Sequence, residues 1–172
     1  MDAITETEFQ KNIAPIFRSV FANENPYGEP FQPQIRPRLL LYEFQYGLSA
    51  PWLEPIVKSI RDLGEEGFFV SVLSRSRPTD NRISHWYVPL QEADRYIHDV
   101  FPLENAIYSV SGHWGLICST EDHAVLGGSA SMIENIRAVV GDLDDRTQYF
   151  LETWKRYHKQ TGVDLGWELV HG

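Results

Sequence analysis

The run YSVSGHWGLICSTEDHAVLGG, residues 108 to 128, limits the possible folds more than any other stretch, because it reads as successive strands with no wet side. Ser111-Gly112 is a pair that closes two-residue hairpins, which places Val110 opposite His113, Tyr108 opposite Gly115 and Ile107 beside Leu116. With Ser119 to Asp122 as the next loop, Cys118 is expected opposite His123, Leu116 opposite Val125 and Trp114 opposite Gly127. Alternation then gives one face Ile107, Ser109, Trp114, Leu116, Cys118, His123 and Val125. The other face takes Ala106, Tyr108, Val110, His113, Ile117, Ala124 and Leu126. Neither face is polar enough to meet water, so this meander is expected to be covered on both sides, by helices or by another copy of a protein.

Segments able to cover it are legible along the chain. Thr5 and Glu8 have capping-box spacing with Ile4 and Phe9 as a staple, and Phe9, Ile13, Ile16, Phe17 and Val20 continue one helical stripe that Pro15 should bend. Leu53, Ile56, Val57, Ile60 and Leu63 form a second stripe ended by Gly64; with Pro51 and Pro55 ahead of it, the regular helix is expected to begin near Glu54. Residues 91 to 101 read as a short helix. Residues 129 to 141 read as another, with Ser131 and Glu134 in capping-box spacing. Residues 142 to 162 open with acids and close with Lys155, Arg156, His158 and Lys159, the charge order a helix dipole favours, with Phe150, Trp154 and Tyr157 on one side.

Residues 38 to 47, 67 to 74 and 84 to 90 read as strands, the last two joined by the polar loop 75 to 82 with its three arginines. Prolines at 26, 30, 33 and 37 make residues 23 to 37 an extended connector that Tyr27 and Phe31 pin to the body. The expected architecture is α+β: a single domain over residues 1 to 172, with a mainly antiparallel sheet of about five or six strands packed with about five helices.

A chain of 172 residues with 42% hydrophobic content can bury one sizeable core. Its net charge of -9 repels phosphate backbones and favours basic partners, so nucleic acid is not expected as a ligand. A lone cysteine makes no internal disulfide, the opening MDAITETEF lacks the features of a signal peptide, and no apolar run approaches the roughly 20 residues of a membrane span. A cytoplasmic protein without a membrane partner is expected.

Chemistry-bearing residues are sparse. Cys118 and His123, as cross-strand neighbours, would be a thiol nucleophile and its base in a small-molecule hydrolase or transferase. His113 and His123 fall on opposite faces, so with Glu121 and Asp122 they do not converge as zinc ligands; no metal or cofactor is expected. LGGSAS, residues 126 to 131, reads as a tight strand-to-helix turn in which Gly127 leaves room for Trp114.

The leading expectation is a non-enzymatic protein-binding or regulatory protein. Its anchors would be Trp52, Trp86, Tyr87 and Tyr46, rimmed by Glu65 and Glu66, and its partner a protein, for which the acidic balance favours a basic one, or a second copy of itself. In small size, acidity and element order the chain resembles small acidic bacterial immunity-type and adaptor proteins, which share compact α+β folds; the resemblance carries over no residue. A structural homodimer subunit is the remaining alternative.

Overall fold

The computed structural model describes residues 1–42, 50–73, 83–99, 104–121 and 123–162. Its strands are β1 (Asp2–Ile4), β2 (Arg38–Tyr42), β3 (Gly67–Val72), β4 (His85–Pro89), β5 (Asn105–Ser109), β6 (Gly115–Cys118) and β7 (His123–Gly127). The helices are α1 (Glu6–Glu8), α2 (Ala14–Val20), α3 (Ala50–Asp62), α4 (Ala93–Asp99), α5 (Ala130–Val139) and α6 (Leu143–Thr161). Among the described residues the strands form one sheet in the order β1-β4-β3-β5-β6-β7-β2, with every neighbouring pair antiparallel.

This is the expected α+β class with a seventh strand. The extra strand includes β1, where Asp2 pairs with Tyr87 and Ile4 with His85. Three residues are too few for alternation to register, and the same residues lead directly into a helix. That helix starts as expected: the Thr5 hydroxyl accepts from the Glu8 amide at 3.2 Å, and Ile4 and Phe9 enter one buried cluster. Pro15 is accommodated by a π-helical turn, Phe9–Ile13, ahead of α2, with the Ala14 amide reaching the Phe9 carbonyl. The wider turn absorbs the donor that proline lacks.

α3 departs from expectation by starting at Ala50, ahead of Pro55. Trp52 is 1% exposed, and burying its ring against the core holds the first turn in place. In α5 the cap is Ser129, whose hydroxyl accepts from the Met132 amide at 3.2 Å, rather than Ser131.

The sheet is covered on both faces from within the chain. One face packs Leu41, Val70, Ile107, Leu116 and Cys118 against Ile56 and Ile60 of α3, Tyr96 of α4, and Ile133 and Ile136 of α5. The other packs Leu40, Phe69, Tyr108, Ile117 and Val125 against the first helical region, Phe31 and Ile35 of the connector, and Phe150 of α6. The connector is pinned by Phe31, which bridges to Phe21, and by Tyr27.

The β5–β6 register is the expected one, Ile107 with Leu116 and Tyr108 with Gly115, and Gly112 turns the hairpin with φ 79°. The β6–β7 register differs by one residue. Cys118 pairs with Ala124, Leu116 with Leu126 and Gly115 with Gly127. Pairing runs on through Ser119, whose amide donates to the His123 carbonyl at 3.0 Å. The Ser119 hydroxyl donates to the Tyr27 hydroxyl at 3.1 Å and accepts from the Glu121 amide at 2.9 Å, which fixes Ser119 in the ladder. A shift of one residue turns every β7 side chain to the opposite face. Trp114 consequently lies against Gly128, at 3.2 Å from where a Cβ would stand, while Gly127 makes room for Ile35 and Phe31. No helix among the described residues is long and apolar enough to cross a membrane.

Candidate functional site

The register change separates the one pair that sequence spacing suggests for catalysis. Cys118 is fully buried among side chains on the α3–α4 face, and burial pushes its thiol far up from the ordinary range against an opposing hydrogen bond from Tyr96. His123 is equally buried on the opposite face, between the rings of Tyr27 and Phe150, with Nε2 at 3.0 Å from the Pro26 carbonyl. The sheet stands between sulfur and imidazole, and a neutral buried thiol is not a nucleophile. The expected Cys118–His123 dyad is not assembled.

Two other histidines, His113 and His85, have local roles. His113 is exposed at the β5–β6 turn with Nδ1 at 3.0 Å from the Ser111 hydroxyl. His85, 1% exposed, lies flat on Phe9 with 3.6 Å between ring centroids. Its Nδ1 is 2.8 Å from the Ser71 hydroxyl, which is 2.9 Å from the Tyr108 hydroxyl, and its Nε2 is 3.2 Å from a Glu6 carboxylate oxygen. Serine, histidine and acid thus follow one another, yet Ser71 is 1% exposed and sealed beneath the first helical region. The line clamps that region to β3 and β4. The signal available in the sequence is alternation in GFFVSV, which puts the polar Ser71 on the same face as Phe69.

The proposed binding residues divide by burial. Trp52 belongs to the core, and Tyr46 lies outside the described residues. Glu65, expected as a rim acid, is tied into the fold. Its carboxylate accepts from the Ser109 hydroxyl at 2.6 Å, from the Ser111 hydroxyl, and from the buried Trp114 indole at 3.2 Å. It anchors the β5–β6 hairpin to the turn after α3.

Trp86 and Tyr87 stay partly exposed on β4, beside the short edge strand β1. They point to opposite sides, Trp86 against the α3–α5 cluster and Tyr87 against the other. Tyr87 extends over Gly67: a Cβ there would stand 2.5 Å from the phenol oxygen, so only glycine lets the ring lie across the start of β3. Burial first, then the charges of Glu66, Asp2 and Glu65, raise the Tyr87 phenol above its ordinary range. Glu66 and Asp2 are exposed. The arrangement is a half-buried aromatic ring paired with Asp2 across the ladder and lying over the residue next to Glu66, with both of these acids facing water. Such a surface can take a lysine or arginine, with charge from the carboxylates and a ring face for the cation.

At the other edge, a cavity of about 360 Å³ lies where β2, α5 and α6 meet, with Arg38, Arg137 and Lys155 in its lining. These residues come from β2 and from two successive helices far along the chain from it, so no local motif announces them. Compared with models of known protein families, with characterised protein sequences and with solved structures, the chain matches none.

Proposed function

We propose that this chain is a non-enzymatic protein-binding or regulatory protein, of the small acidic immunity-like kind, that engages a basic protein partner through Tyr87, Glu66 and Asp2. The observation that carries this reading is that the half-buried Tyr87 pairs with Asp2 across the β1–β4 ladder and lies over Gly67, the neighbour of Glu66, so that two exposed acids flank one ring at this edge. A net charge of -9 adds long-range attraction for a basic surface and works against nucleic acid. The burial of Cys118 away from His123 favours binding over thiol chemistry. A reducing cytoplasm suits a chain with one free thiol.

The test is to purify the tagged chain from its native host at low salt and determine the stoichiometry and charge of what accompanies it. A basic protein retained at a fixed ratio and released by salt supports the proposal. Recovery of the chain alone as a monomer counts against it, and a homodimer by light scattering would favour the structural-subunit alternative.

A further inference from the structure

We infer that the cavity at the β2 edge is a binding site for a small molecule bearing a carboxylate or phosphate group. It lies at the opposite end of the sheet from the acidic surface, since β2 and β1 are the two edge strands. Its volume, about 360 Å³, falls within the range of small-ligand sites, about 300–1,000 Å³.

The decisive residue is Arg38. Its side chain is only 3% exposed and held on three sides: Nη1 is 2.6 Å from Glu29, Nη2 donates to the Gln32 carbonyl at 3.3 Å, and the guanidinium carbon lies 5.6 Å from the centre of the Phe31 ring. Its Nε is buried and has no hydrogen-bond partner among the described residues. Buried polar atoms are nearly always paired, and an unpaired donor on a charged group is costly to keep. A guanidinium already fixed in place loses little freedom on meeting a planar oxyanion, which accepts from it along one edge.

The surroundings continue the same chemistry. Arg137 also lines the cavity, and Asp144 there is committed to it at 2.7 Å. Glu152 receives the Gln148 side-chain amide at 3.1 Å, and the Lys155 ammonium has no ion-pair partner among the described residues. Thr147 donates to the Leu40 carbonyl at 3.2 Å, so that acceptor on the strand edge is already used. The hydrogen-bonding capacity left unspent on this cavity-lining arginine is therefore a donor, which suits a ligand that accepts. Leu39, Leu40 and Leu151 give the cavity apolar wall for a short carbon body.

The experiment is an amide-resolved NMR titration of the full chain at low ionic strength, with succinate and inorganic phosphate as separate probes. Saturable shifts at Leu39, Leu40, Thr147 and Gln148 are expected; saturation by succinate alone assigns a carboxylate ligand, and by phosphate alone a phosphate one. Arg38→Lys should weaken binding by about tenfold or more, because lysine cannot present the Nε edge. Arg38 is buried and this variant can lose stability, so Lys155→Glu, at an exposed position, serves as a second variant and should weaken binding several-fold. Glu66→Lys should leave the titration unchanged, which separates this site from the acidic surface. Absence of saturation by either probe, or saturation that neither Arg38→Lys nor Lys155→Glu weakens, would overturn the inference.

Discussion

Replacing Glu65 with alanine isolates what one carboxylate does for the β5–β6 hairpin. Three donors lose their acceptor: the hydroxyls of Ser109 and Ser111 and the indole of Trp114. The losses are unequal. Ser111 is exposed and can turn to water, and Ser109 keeps Ser111 at 2.7 Å. Trp114 is 0% exposed, so its N–H is left without a partner, at about 1–3 kcal/mol for a buried unpaired donor. The predicted cost of Glu65→Ala is about 2–3 kcal/mol, a large share of a typical stability of about 5–15 kcal/mol. Glu65→Gln keeps one acceptor oxygen and should cost about 1 kcal/mol. The assay is urea unfolding followed by far-ultraviolet circular dichroism, repeated in a Trp114→Phe background. With no indole to orphan, the alanine substitution should there cost about 1 kcal/mol less. A cost below about 0.5 kcal/mol in the wild-type background, or an equal cost in both, refutes the reasoning.

Further outcomes follow from the same geometry. The Cys118 thiol should react with a thiol reagent only as fast as the protein opens, and at once in denaturant. Because burial holds the native thiol above its unfolded value of about 8.5, the native state keeps a proton the unfolded chain has lost, so stability should fall as pH rises beyond that value. Cys118→Ala should remove the thiol's part of that decline in urea titrations at stepped pH, while the buried Tyr108 phenol, also raised, sustains it above about pH 10. Gly115→Ala would set a Cβ 2.6 Å from both Phe21 and Val20 side chains and should destabilise by about 2 kcal/mol or more, whereas Gly141→Ala, with nothing among the described residues within 4 Å, should stay within about 0.5 kcal/mol. Glu66→Gln should lower the Tyr87 ionisation toward the ordinary phenol range, read from its ring carbon by NMR.

The covering of the central strands, the first helix cap, the connector pinned by Phe31 and the β5–β6 pairing were all readable, because each depends on neighbours close in sequence or on plain alternation. The β7 register was not. It hinges on whether the loop begins at Ser119 or after it, and that is decided by Tyr27, 92 positions earlier. Alternation says which residues share a face but not where a ladder stops. Trp52 illustrates a second gap, since a tryptophan beside prolines looks like a surface anchor until α3 is placed. Tyr87 and Glu66 were legible as an aromatic and an acid, but the contribution of Asp2 needed β1. Arg38 carried no signal, because its environment is assembled from the connector, β2 and two helices.

The surface proposed for binding is tested most directly by the association kinetics of the co-purified partner, measured across a range of salt with the wild type and with Asp2→Lys combined with Glu66→Lys. The double reversal should slow association and weaken affinity by about tenfold or more, and it should flatten the salt dependence seen with the wild type. Equal on-rates and equal salt dependence for the two proteins would contradict the account.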